Sequence, residues 1–142
     1  MITWAAPTNP GGVGIPILNY TIEIRLRNGT TFLEEPISCN GADVTIRDNR
    51  VCRIPMLTLT AAPFSFLQGE EIAARVTATN LEGPGPTSPV SVSQTVVAQV
   101  VPQKPPQAPR RVATTTESAV VVEWDALAAP LNGGAAVTSY NL

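Results

Sequence analysis

The residues Ile2-Thr3-Trp4 through Ile22 return without a gap, 120 residues later, as Val122-Glu123-Trp124 through Leu142. The register keeps Trp4/Trp124, Ala6/Ala126, Pro10/Pro130, Gly14/Gly134 and Tyr20/Tyr140, with apolar matches at Ile2/Val122, Ile17/Val137 and Ile22/Leu142. Both aromatic residues hold the same spacing, which two unrelated segments would rarely do. A fixed period marks modules strung in a row, so the chain reads as one period of an array. The first copy opens inside a strand and the second stops inside one, so the pattern predicts that neither end is a domain boundary.

Fourteen prolines and ten glycines, 44% hydrophobic residues and only 14% charged residues fit many short strands joined by turns. Long helices are not expected. The net charge is −2, and the basic residues before Val101 are interleaved with acidic ones, which argues against a nucleic-acid surface or an anionic membrane surface. No run of apolar residues is long enough to span a bilayer. Met1 leads straight into a strand, so any export signal or anchor is expected to lie outside this sequence.

Histidine is absent and cysteine occurs twice, so the usual proton shuttle, the usual zinc ligands and most nucleophile–base pairs cannot be assembled. Catalytic, cofactor and metal residues are therefore expected to be absent, and the chain is expected not to be an enzyme. Cys39 and Cys52 flank a segment that reads as a hairpin with a polar turn near Asp48-Asn49. Cysteines placed in this way can face one another across two strands and oxidise, the alternative being two buried free thiols. The even count favours the bridge. Closing a loop of this size contributes about 3 kcal/mol in the chain-entropy picture.

Leu18-Tyr20-Ile22-Ile24-Leu26 alternates with Asn19-Thr21-Glu23-Arg25-Arg27, a period of two that predicts a strand with one buried face. Asn28-Gly29 follows as a hairpin turn, and Thr30 to Leu33 begins the returning strand. Further strands are predicted over Ile54 to Thr60, Ile72 to Thr79 and Val90 to Val97. From Val101 the composition shifts to the proline-rich stretch 101–109, read as a semi-rigid linker. Arg111 to Thr115 and Ser118 to Trp124 then give two strands separated by a turn.

These features together resemble fibronectin type III modules in tandem. The resemblance rests on three pieces: a strand ending in Trp4 or Trp124, then a Pro/Gly-rich loop and a strand containing Tyr20 or Tyr140; Ala78-x-Asn80-x-x-Gly83-x-Gly85-x-x-Ser88 after an alternating strand; and Pro106-x-x-Pro109 opening the next module. It implies an all-β fold, an antiparallel Greek-key β-sandwich. It also implies one nearly complete module over 1–100 that lacks its first strand, the linker 101–109, and the opening strands of a second, truncated module over 110–142. Trp4, Tyr20, Ile22, Ile24, Val76, Trp124 and Tyr140 would form the cores. Two departures stand out. Leu67-Gln68-Gly69-Glu70-Glu71-Ile72 carries no tyrosine where the family places its corner residue, and the surplus length falls around 39–52, which is read as a disulfide hairpin insertion.

Asn19-Tyr20-Thr21 and Asn28-Gly29-Thr30 match the N-glycosylation triplet. Asn19 lies on the polar face of its predicted strand and Asn28 at a turn, so both are expected to face solvent. In a bacterium both would be ordinary surface asparagines. The pairs Glu34-Glu35 and Glu70-Glu71 lack the close-spaced oxygen ligands of a calcium loop and read as solvated surface. The function expected is that of a non-enzymatic, extracellular or cell-surface structural or adhesive repeat protein, a rod or fibre. Its partners would be neighbouring copies or adjacent modules and N-linked glycans, with no nucleic acid and no direct membrane insertion. The cut modules invite completion by another chain, unless the sequence is simply an excerpt of a longer array. The rival expectation is a ligand-recognition module of a receptor ectodomain or of a secreted enzyme.

Overall fold

A computed structural model describes residues 1–91 and 96–141. The chain divides into two compact units, Met1–Ala98 and Gln99–Leu142. Among the described residues, all regular structure beyond two short helices is antiparallel β.

The first unit is organised by β2 (Asn19–Arg25), whose alternating burial matches the period of two in its sequence: Tyr20, Ile22 and Ile24 are buried and the residues between them are half-exposed. It lies between β3 (Phe32–Glu34) and β5 (Ala74–Asn80), which pairs onward to β6 (Gly83–Pro84). The register sets Glu23 opposite Glu34 on one side and opposite Arg75 on the other. A second, two-stranded sheet pairs β1 (Ile2–Thr3) with β4 (Val51–Cys52). Its Ile2 and Cys52, with Trp4 just after β1, pack into one apolar cluster with Tyr20, Ile22 and Cys39, so residues of both sheets share a core. Ile24 joins a neighbouring cluster with Leu59, Phe64, Phe66, Ile72 and Ala98. Fully burying a side chain such as that of Ile24 stabilises the fold by about 1.5–3 kcal/mol.

Two predicted β segments are helical. The stretch between the cysteines contains α1 (Val44–Asn49). Its start is fixed by Asp43, whose carboxylate accepts from the amides of Thr45 and Ile46 at 2.9 and 3.1 Å, the usual N-cap arrangement. It ends at Arg50 in the left-handed region, with φ 54°. The hairpin expected around Cys39–Cys52 is therefore a capped helical turn leading into β4. Ile54 to Thr60, predicted as a strand, instead gives α2 (Met56–Thr60), which follows Pro55. Proline before the first turn lacks an N–H the helix cannot use, and the turn brings Leu59 into the core.

The strand expected over Val90 to Val97 falls partly on 92–95, outside the described residues. On either side of them the chain runs antiparallel to the segment containing β5: the Ser88 and Ser91 amides donate to Val76 and Ala74, and the Ile72 amide donates to Val96.

In the second unit, β7 (Arg110–Arg111) pairs with β8 (Val122–Glu123). The proline-rich stretch is anchored to its loops: the amides of Val100 and Gln103 donate to the carbonyls of Gly133 and Leu131. The unit boundary thus precedes the segment read as a linker.

Candidate functional site

The repeated tryptophan and tyrosine meet in both units. Trp4 and Tyr20 have ring centroids 5.4 Å apart at 66°, and Trp124 and Tyr140 are 5.7 Å apart at 55°, distances and tilts that edge-to-face pairs favour. Tyr20, Ile22 and Ile24 are buried. Trp4, Val76, Trp124 and Tyr140, expected as core residues, are half-buried. Trp4 nevertheless packs on the first unit's core cluster, while its Nε1 is buried with no protein partner among the described residues. In the second unit Trp124 and Tyr140 border a cavity of about 390 Å³ shared with Lys104, Pro105 and Pro109.

Cys39 and Cys52 form a disulfide, with Cα atoms 5.2 Å apart. Both are buried, so the bridge is part of the apolar centre and ties the loop after β3 to β4. Beside it, the Gly41 carbonyl accepts from the Tyr20 amide at 3.1 Å. A Cβ at Gly41 would collide with the Tyr20 carbonyl oxygen, so the close approach of these two backbones requires glycine.

The two candidate acceptor asparagines differ. Asn28 is exposed at the turn between β2 and β3. Its Oδ1 accepts from the amides of Thr30 and Thr31, and its Nδ2 donates to the Thr31 hydroxyl at 2.8 Å; one Nδ2 hydrogen is left over. Gly29 supplies the positive φ of 79° that this turn needs. Asn19 was expected to face solvent, but it is half-buried opposite Thr79, and its Oδ1 is buried with no protein partner among the described residues. The polar side of β2 is half-exposed along its length rather than fully open to water.

Three of the four paired glutamates are engaged by other groups of the chain. Glu35 is buried and accepts from the amides of Ile37 and Ser38. Glu71 pairs with Arg25, and Glu70 with Arg27. The Leu67 amide, at 2.7 Å, and then the Arg27 guanidinium hold the Glu70 carboxyl below the ordinary glutamate range. Glu23 holds Arg75 in a two-bonded pair that raises the arginine further, and the same guanidinium lies 4.0 Å from the centre of the Phe32 ring. Among the described residues no cluster of three or more His, Cys, Asp or Glu could hold a metal ion.

Two strand edges complete the description. β1 is paired on one side only among the described residues. Beside it lies a groove of about 270 Å³ lined in part by Met1, Ile2, Ile54, Met56, Leu59 and Ile72. In the second unit, Arg110 crosses from β7 to Glu123 and Asp125. Asp125 first, then Glu123, raise its pKa, and in return Arg110 depresses that of Asp125.

No family model and no solved structure matches this chain. The residues that sequence reasoning missed are Asp43, Gly41 and the core phenylalanines Phe64 and Phe66. Asp43 ahead of Val44-Thr45-Ile46 carried a readable capping signal; the need for glycine at position 41 exists only once Tyr20 is in place.

Proposed function

We propose that the chain is one period of a non-enzymatic, extracellular or cell-surface rod or fibre, built from tandem modules of fibronectin type III-like Greek-key sandwiches. The observation that carries this reading is the recurrence of one local arrangement at one period. Strand β1 leads to Trp4 against Tyr20, and strand β8, its equivalent 120 residues on, leads to Trp124 against Tyr140. The core shared by the β1–β4 and β3–β2–β5–β6 sheets supports the sandwich. The buried disulfide supports an oxidising compartment, and no helix among the described residues is long and apolar enough to cross a membrane.

In this reading the module works by spacing and by joining. Its partners are neighbouring modules or copies, and N-linked glycans at Asn28 and Asn19 coat the surface, with Asn28 the more accessible acceptor. Mass analysis of unreduced peptides from native material tests the compartment and the coat. A sugar on Asn28 together with an intact Cys39–Cys52 bridge supports the proposal; bare asparagines with reduced thiols contradict it.

A further inference from the structure

We infer that Asn40 is a site of self-modification: in the folded chain its side-chain amide is lost through attack by the Gly41 nitrogen, ahead of the two other asparagines that precede a glycine, Asn28 and Asn132.

The chemistry belongs to the Asn-Gly pair. The glycine nitrogen, once it has given up its proton to solvent base, attacks the side-chain Cγ and closes a five-membered imide. The bond from Cγ to the side-chain nitrogen breaks, and ammonia leaves. Water then opens either carbonyl of the ring, leaving aspartate, or isoaspartate whose Cβ has entered the main chain. Glycine places no Cβ in the path of attack, and the negative charge developing on Oδ1 is stabilised by an amide aimed at it.

Three Asn-Gly pairs occur, at 28–29, 40–41 and 132–133, and all three present the same electrophile. Oδ1 of Asn28, Asn40 and Asn132 accepts from the amide two residues on, that of Thr30, Ala42 and Gly134, at 3.1, 3.0 and 3.0 Å. The nucleophiles differ. The Gly29 amide donates to the Leu26 carbonyl at 2.9 Å and the Gly133 amide to the Pro130 carbonyl at 3.2 Å, so in both pairs the attacking nitrogen must first give up a bond. The Gly41 amide has no acceptor among the described residues. Asn28 is held further, because its Oδ1 also accepts from the Thr31 amide and its Nδ2 donates to the Thr31 hydroxyl. Gly41 is buried, but Asn40 and Ala42 on either side of it are exposed, so water and base reach the turn.

The position gives the reaction a structural consequence. Asn40 lies between Cys39, bridged to Cys52, and Gly41, whose carbonyl accepts from the Tyr20 amide at 3.1 Å. Gly41 is already too close to the Tyr20 carbonyl to admit a Cβ. Isoaspartate at position 40 lengthens the main chain by one carbon between these two fixed points. The bond between Tyr20 and Gly41 must then stretch or break, while the disulfide keeps the loop attached.

The test uses the unglycosylated 142-residue chain with its disulfide intact. It is held at mildly alkaline pH and digested at intervals, and the mass gain of amide-to-acid conversion is followed in the peptide around each pair. Conversion at Asn40 is expected to outrun that at Asn28 and Asn132 by roughly two- to tenfold, the worth of one backbone hydrogen bond. In denaturant the three rates are expected to converge, since the hydrogen bonds that separate them are gone. Asn40→Gln, which would have to close a six-membered ring, is expected to keep its amide and, aged in parallel, to retain slow hydrogen exchange at the Tyr20 amide; the converted chain is expected to exchange faster there. Equal or faster conversion at Asn28 or Asn132 in the folded chain overturns the inference, as does a preference for Asn40 that survives in denaturant. Unchanged exchange at the Tyr20 amide of the converted chain overturns the coupling to β2. None of these results touches the fibre reading, which is judged separately on native material.

Discussion

The Tyr140 hydroxyl accepts a hydrogen bond from the Leu127 amide at 2.9 Å, and the residue 120 positions before Leu127 is Pro7, which has no N–H to give. The same Trp–Tyr arrangement is therefore held differently in the two copies. In the first unit Tyr20 is secured by burial among Ile22 and the cystine. In the second, where Tyr140 is half-buried, a bond to the Leu127 backbone fixes it.

Tyr140→Phe removes that acceptor while keeping the ring. The expected cost is about 0.5–1.5 kcal/mol of local stability, read as faster hydrogen exchange at the Leu127 amide. Exchange in residues 1–91 is expected not to change.

Reducing the Cys39–Cys52 bridge, or replacing both cysteines by serine, releases a closed loop whose ends are 13 residues apart. The expected loss is about 3 kcal/mol, seen as a lower melting temperature of the first unit. Thermal unfolding with and without reductant gives the difference, and the double serine variant should be insensitive to reductant.

Gly41→Ala puts a Cβ against the Tyr20 carbonyl. The backbones must separate, and the expected destabilisation is about 1–3 kcal/mol or more. Denaturant titration measures it. For comparison, Ile24→Ala, which opens a cavity at a fully buried site, is expected to cost about 2–5 kcal/mol.

Acid should loosen two surface contacts. Folded Glu70 and Asp125 have depressed pKa values, so each contact contributes fully above the ordinary carboxylate range, about 4. Each contribution is lost as the pH falls from there through the depressed folded value. Chemical-shift titration of the Leu67 amide and of the Arg110 side chain should follow that order, with little change between pH 6 and 8.

How much of this was legible in the sequence depended on whether the signal was local. The period of two from Tyr20 to Ile24 predicted β2 and its buried face because side-chain alternation is a property of the strand alone. The turn at Asn28-Gly29 was legible for the same reason. The segments that became α1 and α2 were misread because β-branched and alternating residues in Val44-Thr45-Ile46 and Ile54-x-Met56 outweighed the cap at Asp43 and the proline at 55. In five- or six-residue helices, tertiary packing decides what propensity leaves open. Asn19 was placed on a solvent face by alternation, which says nothing about what neighbouring segments later cover. The repeat showed that Trp4 and Tyr20 keep one spacing with Trp124 and Tyr140, but the contact between the two rings depends on packing that spacing does not encode.

The most direct test of the account is electron microscopy of native, unreduced material. Tandem modules joined end to end predict regular filaments or rods with a constant axial repeat. Dispersed particles with no repeat would contradict the structural reading and favour a ligand-recognition module instead.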